Sequence, residues 1–134
     1  MIYLRSMTLG LIGALFLTSA TIAEQTIGMS EKAMLQVSMQ RHIDRSLVDG
    51  AYLHMKMETG EVRELHPITA HPMIMKMGKY FVLCSDFRDK SGKSVNIDFY
   101  MARRGSSFVV FQALVDDRKP LKRLMKAGKA SRVN

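Results

Sequence analysis

Between Met73 and Val115 the chain alternates apolar and polar residues with a period of two, which is typical of β-strands that turn one face toward a core. Glycine-containing turns interrupt the alternation, so the stretch predicts three consecutive antiparallel strands. The methionine-rich run at its start is expected to be a fourth strand.

Upstream of this sheet the apolar period becomes that of a helix. Apolar residues recur at every fourth position and form one stripe: Leu35, Met39, Ile43 and Leu47. Ser30 is a favoured residue at a helix N-terminus, and Asp49-Gly50 is a favoured stop. The pattern predicts one long amphipathic helix over residues 30–49.

Residues 51–66 predict a hairpin, because apolar and polar residues alternate before a turn at Glu58-Thr59-Gly60. Pro67 and Pro72 follow, and proline cannot donate a hydrogen bond to a neighbouring strand. We therefore expect residues 67–72 to form a loop or an irregularity at the sheet edge.

Two turns set the register of the central sheet. Lys90-Ser91-Gly92 and Arg103-Arg104-Gly105 both place glycine third, which is typical of a three-residue hairpin loop. Residues of like parity then face one another across the strands, and one side becomes apolar. This predicted inner face comprises Phe81, Leu83, Ser85, Phe87, Val95, Ile97, Phe99, Met101, Val109, Phe111 and Ala113.

The helix needs an apolar partner, so we expect it to lie across the inner face. Residues 120–127 carry apolar side chains on one side and predict a short closing helix, while residues 130–134 are expected to fray. The predicted fold is α+β: one long N-terminal amphipathic helix on a curved antiparallel sheet of about five strands, then a short C-terminal helix. This element order resembles the cystatin-like architecture, which includes the NTF2-like folds. The resemblance covers element order only and implies no protease inhibition.

The first 23 residues are typical of a cleavable signal peptide. Arg5 precedes the apolar segment 9–20, and Thr21-Ile22-Ala23 places small residues before a cleavage site. An uncleaved anchor is the alternative, although the segment is short for a bilayer, which takes about 20 apolar residues. We expect an exported protein with one domain over residues 24–134. It would be periplasmic in a Gram-negative bacterium and otherwise secreted.

Charge is strongly positive, with 20 Lys and Arg against 12 Asp and Glu, and the excess collects in the basic tail, residues 118–134. In an exported protein this tail fits anionic lipid headgroups or an acidic protein face, and nucleic acid is not an expected partner. The simpler interpretation is a solvated helix that keeps the protein soluble.

Cys84 is the single cysteine, so no disulfide can form within the chain. Burial is the common outcome for such a thiol. In the predicted register Cys84 lies opposite Asp98. The histidines lie on the helix or before the central strands, so none is expected beside the thiol. An enzyme is therefore not expected, and neither is a cofactor.

The methionines allow one metal hypothesis, because thioether and imidazole ligands suit Cu(I). The run in question comprises His71, Met73, Met75 and Met77. A three-residue loop Lys76-Met77-Gly78 would point Met73 and Met75 into the core, whereas a two-residue turn Gly78-Lys79 would point them to the opposite face, near Cys84. The other turns favour the first arrangement, so filling the core is the expected role.

The outer face of the sheet is more apolar than a solvated face. Five of its residues form the expected partner face: Tyr80, Val82, Tyr100, Phe108 and Val110. Such patches usually mark an interaction surface, and a face-to-face homodimer would bury this one. Alternatively, the first hairpin or the closing helix folds over it. The sequence predicts a small exported, non-enzymatic binding domain that meets a partner through the open face. The alternative is a periplasmic Cu(I)-binding protein with methionine and histidine ligands.

Overall fold

The computed structural model describes residues 26–133, and the predicted signal peptide lies outside them. The elements, in chain order, are α1 (Met29–Ser46), β1 (Leu47–Val48), β2 (Ala51–Met55), β3 (Val62–Met77), β4 (Tyr80–Arg88), β5 (Ser94–Arg104), β6 (Ser107–Val115), α2 (Lys119–Lys126) and β7 (Ser131–Val133). Strands β1 to β6 follow one another in order, and β7 pairs with β3, all antiparallel. The α+β class and both helices are confirmed, while the sheet has more strands than the five expected.

Helix α1 presents the predicted stripe to the sheet, and Leu35, Met39 and Ile43 are fully buried there. Its limits differ from the prediction. Gly28 holds the N-cap position, so Ser30 lies inside the first turn. At the other end Leu47 is extended and pairs in β1, so the helix ends at Ser46.

One 16-residue strand, β3, contains the return arm of the predicted hairpin, the proline segment and the methionine strand. Its pairing with β4 is irregular in two places, one on each side of Ala70. The prolines lie at these irregularities because neither can donate a hydrogen bond to a partner strand. The alternative of an irregularity, rather than a loop, is therefore correct.

The first central turn follows the prediction. Asp89 and Lys93 flank it with a backbone hydrogen bond of 3.0 Å, and Gly92 has a φ of 85°. Such a positive φ is readily adopted only by glycine. The pairing of Phe87 with Val95 and of Cys84 with Asp98 is as expected.

The second central turn is shorter than predicted. Arg104 pairs with Ser107, so the loop contains only Gly105 and Ser106. A bulge follows, because Tyr100 pairs with Gln112 whereas Met101 pairs with Val110, which leaves Phe111 without a partner across the ladder.

This turn and bulge change the faces assigned to β6. Phe108 and Val110 belong to the inner core, although both were predicted on the outer face. Phe111, predicted inside, lies outside with its ring against those of Tyr80 and Tyr100. The shorter loop changes the parity of the strand, so the side-chain directions invert up to the bulge.

The inner core lies between α1 and the sheet and is almost wholly apolar. Phe99 is at its centre, with ring centroids 6.2 Å from Tyr52, 6.4 Å from Phe87 and 5.7 Å from His42. Tyr52 thus faces inward on β2, while the alternate residues Leu53 and Met55 are exposed. The prediction that the helix packs across this face is confirmed.

A second layer covers part of the outer face. Leu121 of α2 and Ala130 pack against Met75, Val82 and Tyr100 in a smaller apolar cluster. Helix α2 ends as predicted, with Gly128 at a φ of 67°. The predicted fraying is wrong for residues 131–133, since these form β7 and pair with Ile74, Met75 and Lys76 of β3. Within residues 26–133 no helix is long and apolar enough to cross a membrane.

Candidate functional site

The five residues of the predicted partner face do not form one surface. Val82 and Tyr100 are buried under α2, and Phe108 and Val110 belong to the inner core. Tyr80 remains partly exposed. The alternative in which the closing helix folds over the outer face therefore describes the part of the sheet that carries Val82 and Tyr100.

The methionine run takes the less favoured of its two directions. Met77 pairs with Tyr80, so Gly78 and Lys79 form a two-residue turn, and Gly78 has a φ of 60°. The predicted three-residue loop is wrong. Met73, Met75 and Met77 consequently lie in the outer cluster, where Met75 is 2% exposed. In the described part of the chain, no group of three or more His, Cys, Asp or Glu side chains is arranged to hold a metal ion.

His71 joins a chain of three polar side chains on the outer face. The Cys84 sulfur lies 3.0 Å from His71 Nδ1. On the other side of the ring, His71 Nε2 lies 2.7 Å from Asp86 Oδ2. The Asn96 amide donates a further hydrogen bond of 3.3 Å to Asp86 Oδ1. A thiol, an imidazole and a carboxylate thus follow one another at hydrogen-bonding distance, which is the arrangement in which a base can take a proton from a nucleophile.

The irregularity in β3 brings these groups together. Ala70 pairs with Ser85 and Ile74 pairs with Leu83, so three residues of β3 stand opposite the single residue Cys84. A bulge of this kind redirects side chains, and bulges are common beside functional sites. Pro72 lies within it and has no backbone N–H to lose. The bulge lets His71 bridge Cys84 and Asp86, which lie two residues apart on one face of β4.

The surroundings shift the pKa values of the acidic groups at this site in different directions. The His71 hydrogen bond lowers the pKa of Asp86, so this carboxylate is ionised at neutral pH. Burial raises the pKa of Cys84, which keeps the thiol protonated. Burial likewise raises the pKa of Asp98, directly across from Cys84, although Arg118 donates a 3.3 Å hydrogen bond to its Oδ2 and lowers this pKa in part.

Several polar atoms here have no partner within residues 26–133. They are Asn96 Oδ1, Asp98 Oδ1 and the Tyr100 hydroxyl, all buried and all on the outer side of β5. Unpaired buried polar groups are uncommon in folded proteins because each one loses its hydrogen bonds to water. The Asn96 oxygen can act only as an acceptor, and so can Asp98 Oδ1 when its carboxyl is ionised, so the region can receive a hydrogen-bond donor.

The sequence reasoning missed the neighbourhood of Cys84 because it placed no histidine there. The useful signal was the Gly78-Lys79 turn. Counting back from it puts His71 opposite Asp86, one position diagonally from Cys84. The two-residue turn therefore puts His71 on the correct face, and the bulge in β3 then brings it to Cys84. The prediction that Cys84 is buried is confirmed.

Much of the basic tail, residues 118–134, lies in α2 and β7. Arg118 turns inward to Asp98, whereas Lys122, Arg123 and Lys126 of α2 are exposed. Comparison of the chain with protein-family models, with curated proteins and with solved structures finds no match. Conclusions about function therefore depend on this chain's own residues.

Proposed function

We propose that the protein is a small exported, non-enzymatic binding domain that meets a protein partner on the outer side of the sheet, and that this partner is a second copy of the chain. The proposal moves the contact away from the predicted partner face and onto strand β6 at the sheet edge. Its main support is Phe111, a large aromatic side chain that remains 52% exposed.

Strand β6 has the composition of a strand that pairs on both sides. Its nine residues, SFVVFQALV, include no charge and no proline. Yet β6 lies at the end of the strand order. Edge strands in soluble proteins usually carry lysine, proline or a bulge that discourages pairing with another chain. Here the bulge at Phe111 is such a feature, but it also exposes an aromatic ring.

Phe111 is held in place by its neighbours. Its ring centroid lies 5.4 Å from that of Tyr80, in an edge-to-face arrangement, and 6.5 Å from that of Tyr100. Aromatic anchors that are held rigidly before binding lose little entropy and often contribute most of the energy at an interface. Two copies related by a two-fold axis would each present β6 and Phe111 to the other, which closes the assembly as a dimer.

Sedimentation velocity tests this assembly. We expect wild-type protein to be dimeric at high micromolar concentration and Phe111→Lys to be monomeric, because a lysine would have to be desolvated in the contact. Met57→Lys is the matched control, since Met57 is also exposed but lies at the first hairpin turn. It should remain dimeric. A wild-type protein that is strictly monomeric at that concentration excludes self-association.

The basic tail is proposed to bring the domain to anionic surfaces. Lys122, Arg123 and Lys126 project from α2 into solvent, which suits attraction to anionic headgroups. Export is proposed on the signal-peptide pattern, and the cystatin-like resemblance on element order. Cosedimentation with anionic vesicles, against zwitterionic vesicles, tests the attraction. Equal binding to both would argue against it.

A Cu(I)-binding role is the second candidate. The Gly78-Lys79 turn favours it, because this turn puts Met73 on the same face as Cys84 and His71. Soft thioether, thiolate and imidazole donors suit Cu(I). The simpler role for these methionines is filling the cluster under α2. Titration with Cu(I) against a competing chelator separates the two, and failure to compete at micromolar affinity removes the copper role.

A further inference from the structure

The hydrogen bonds that join Cys84, His71 and Asp86 run in one direction, from the thiol to the carboxylate. An ionised carboxylate can only accept a hydrogen bond, so His71 Nε2, 2.7 Å from Asp86 Oδ2, must carry the hydrogen. When the imidazole is neutral, its other nitrogen, Nδ1, is then an acceptor, and it lies 3.0 Å from the Cys84 sulfur. The thiol therefore donates to a base whose orientation is set by a carboxylate.

The surroundings limit what can reach the sulfur. Cys84 is 3% exposed, so a bulky substrate cannot approach it without displacing its neighbours. His71, in contrast, lines a surface hollow of about 390 Å³ between α1 and the β3 bulge. This hollow also contacts Gln36, Val37 and Pro72. Cys84 itself does not line the hollow, so a molecule a few atoms in size meets the imidazole first and reaches the sulfur only by passing it.

A second observation concerns the buried polar atoms across from Cys84. Asp98 is 0% exposed and pairs directly across from Cys84, yet its Oδ1 has no hydrogen-bond partner within residues 26–133. Asn96 Oδ1, on the same strand face, is in the same condition. The Asn96 oxygen, and Asp98 Oδ1 when its carboxyl is ionised, are acceptors that lack a donor. A sulfenic acid at Cys84 would carry one hydroxyl group, which can donate to one of these two oxygens.

We propose that Cys84 is a modification site that small hydroperoxides oxidise to a sulfenic acid, with His71 as the base and Asp86 as its positioning residue. His71 Nδ1 takes the thiol proton, and the sulfur attacks one peroxide oxygen. The S–O bond forms as the O–O bond breaks, so sulfur is oxidised and the peroxide is reduced. The departing hydroxide, or the alkoxide of an organic hydroperoxide, takes the proton from His71 and leaves as water or as an alcohol. With hydrogen peroxide the products are one sulfenic acid and one water.

The base is needed because burial raises the pKa of Cys84, and a thiol rather than a thiolate is a poor nucleophile. Asp86 and Asp98 oppose a negative sulfur, while Arg118 favours it. The single cysteine leaves no second thiol in the chain to form an internal disulfide, so the sulfenic acid would persist until an outside thiol reacts with it. This site is independent of the proposed binding function.

The test measures the rate at which hydrogen peroxide oxidises Cys84 in the purified protein. A sulfenic-acid reagent traps the product, and the intact mass of the protein reports how much has formed. We expect His71→Gln to lower this rate roughly 100-fold, the lower limit usual for loss of a general base. Asp86→Asn should slow it less. His66→Gln, an exposed histidine on the same strand, is the matched control and should react like wild type.

A comparison that needs no variant guards against misfolding. At pH 7 an ordinary thiol with a pKa of about 8.5 is only a few per cent thiolate, so wild-type protein unfolded in urea should react slowly, whereas an ordinary imidazole with a pKa of about 6.5 is still largely neutral. The native protein should react at least ten-fold faster. Native protein that reacts no faster than the unfolded chain, or His71→Gln that reacts at the wild-type rate, would overturn the proposal.

Discussion

The two faces of this sheet are covered in different ways. Helix α1 seals the inner face against an apolar core in which Phe87 and Phe99 are fully buried. The outer face is covered only in part by α2 and β7, and its apolar cluster adjoins the polar chain of His71, Cys84 and Asp86. Every buried side-chain oxygen or nitrogen that lacks a partner within residues 26–133 is on this outer side.

The difference separates stability from chemistry. Close packing of an apolar core stabilises the folded protein, and an unpaired polar group buried in such a core would destabilise it. The outer layer retains groups that carry an energetic cost, which is common where a protein binds or reacts. We therefore expect substitutions on the inner side to affect folding most, and those on the outer side to affect titration and reactivity.

The largest effect should come from the centre of the inner core. Phe99→Ala is expected to lower the free energy of unfolding by about 3–5 kcal/mol, because it removes a ring that packs on Tyr52 and Phe87 and leaves a cavity. Leu121→Ala, under α2, should cost about 2–3 kcal/mol, the low end of the usual range. Urea unfolding measures both. Equal losses would remove the distinction between the two layers.

Asp98→Asn should change how stability depends on pH. Because burial raises the pKa of Asp98, the folded protein binds this proton more tightly than the unfolded chain. Stability from Asp98 is therefore greatest at acid pH. It falls as pH rises from about 4 through the raised pKa, by about 1.4 kcal/mol for each pH unit that separates the folded and unfolded pKa values. The asparagine variant should lack this fall in urea unfolding at a series of pH values.

Asp86 provides the contrast for that experiment. Its pKa is lowered, so its contribution is present above a pH of about 4 and is lost as pH falls through the lowered value. Asp86→Asn should flatten the acid side of the profile and leave the fall above pH 4 in place. Identical profiles for the two variants would contradict a raised pKa at Asp98 and a lowered pKa at Asp86.

Gly78→Ala tests the turn that sends the methionines outward. Gly78 has a φ of 60°, and an L-residue in that region costs about 1–2 kcal/mol. Lys79→Ala is the control, because Lys79 is not among the residues with positive φ and its substitution should stay within about 0.5 kcal/mol. If both variants unfold at the same urea concentration as wild type, the turn is not of this kind.

The smallest effect is expected at Tyr100. Its buried hydroxyl has no partner within residues 26–133, so Tyr100→Phe should raise the free energy of unfolding by up to about 1 kcal/mol. Tyr80→Phe, at a partly exposed ring, should leave stability unchanged. A clear loss of stability in Tyr100→Phe would show that the hydroxyl has a partner in solution, such as an ordered water.

The methionine run shows how far local pattern could reach. Period-two alternation predicted the strand, but two turns were compatible with Gly78, and they send Met73 and Met75 to opposite faces. The incorrect choice also placed His71 and Cys84 on opposite faces of the sheet. In β6 the wrong loop length likewise put Phe111 on the inner face and Phe108 and Val110 on the outer face, which is the reverse of the structure. A change of one residue in a loop inverts a whole strand, and the sequence of the loop alone does not fix its length.

The sequence by itself determined the α+β class, the buried stripe of α1, the first central turn, the burial of Cys84 and the end of α2 at Gly128. These depend on short-range periodicity and on glycine's freedom to adopt positive φ, which act within a few residues. The tertiary structure alone decided the bulge opposite Cys84, the cover provided by α2 and β7, and the meeting of His71 with Cys84 and Asp86. Those depend on register between strands, which many distant side chains settle together as they compete for burial.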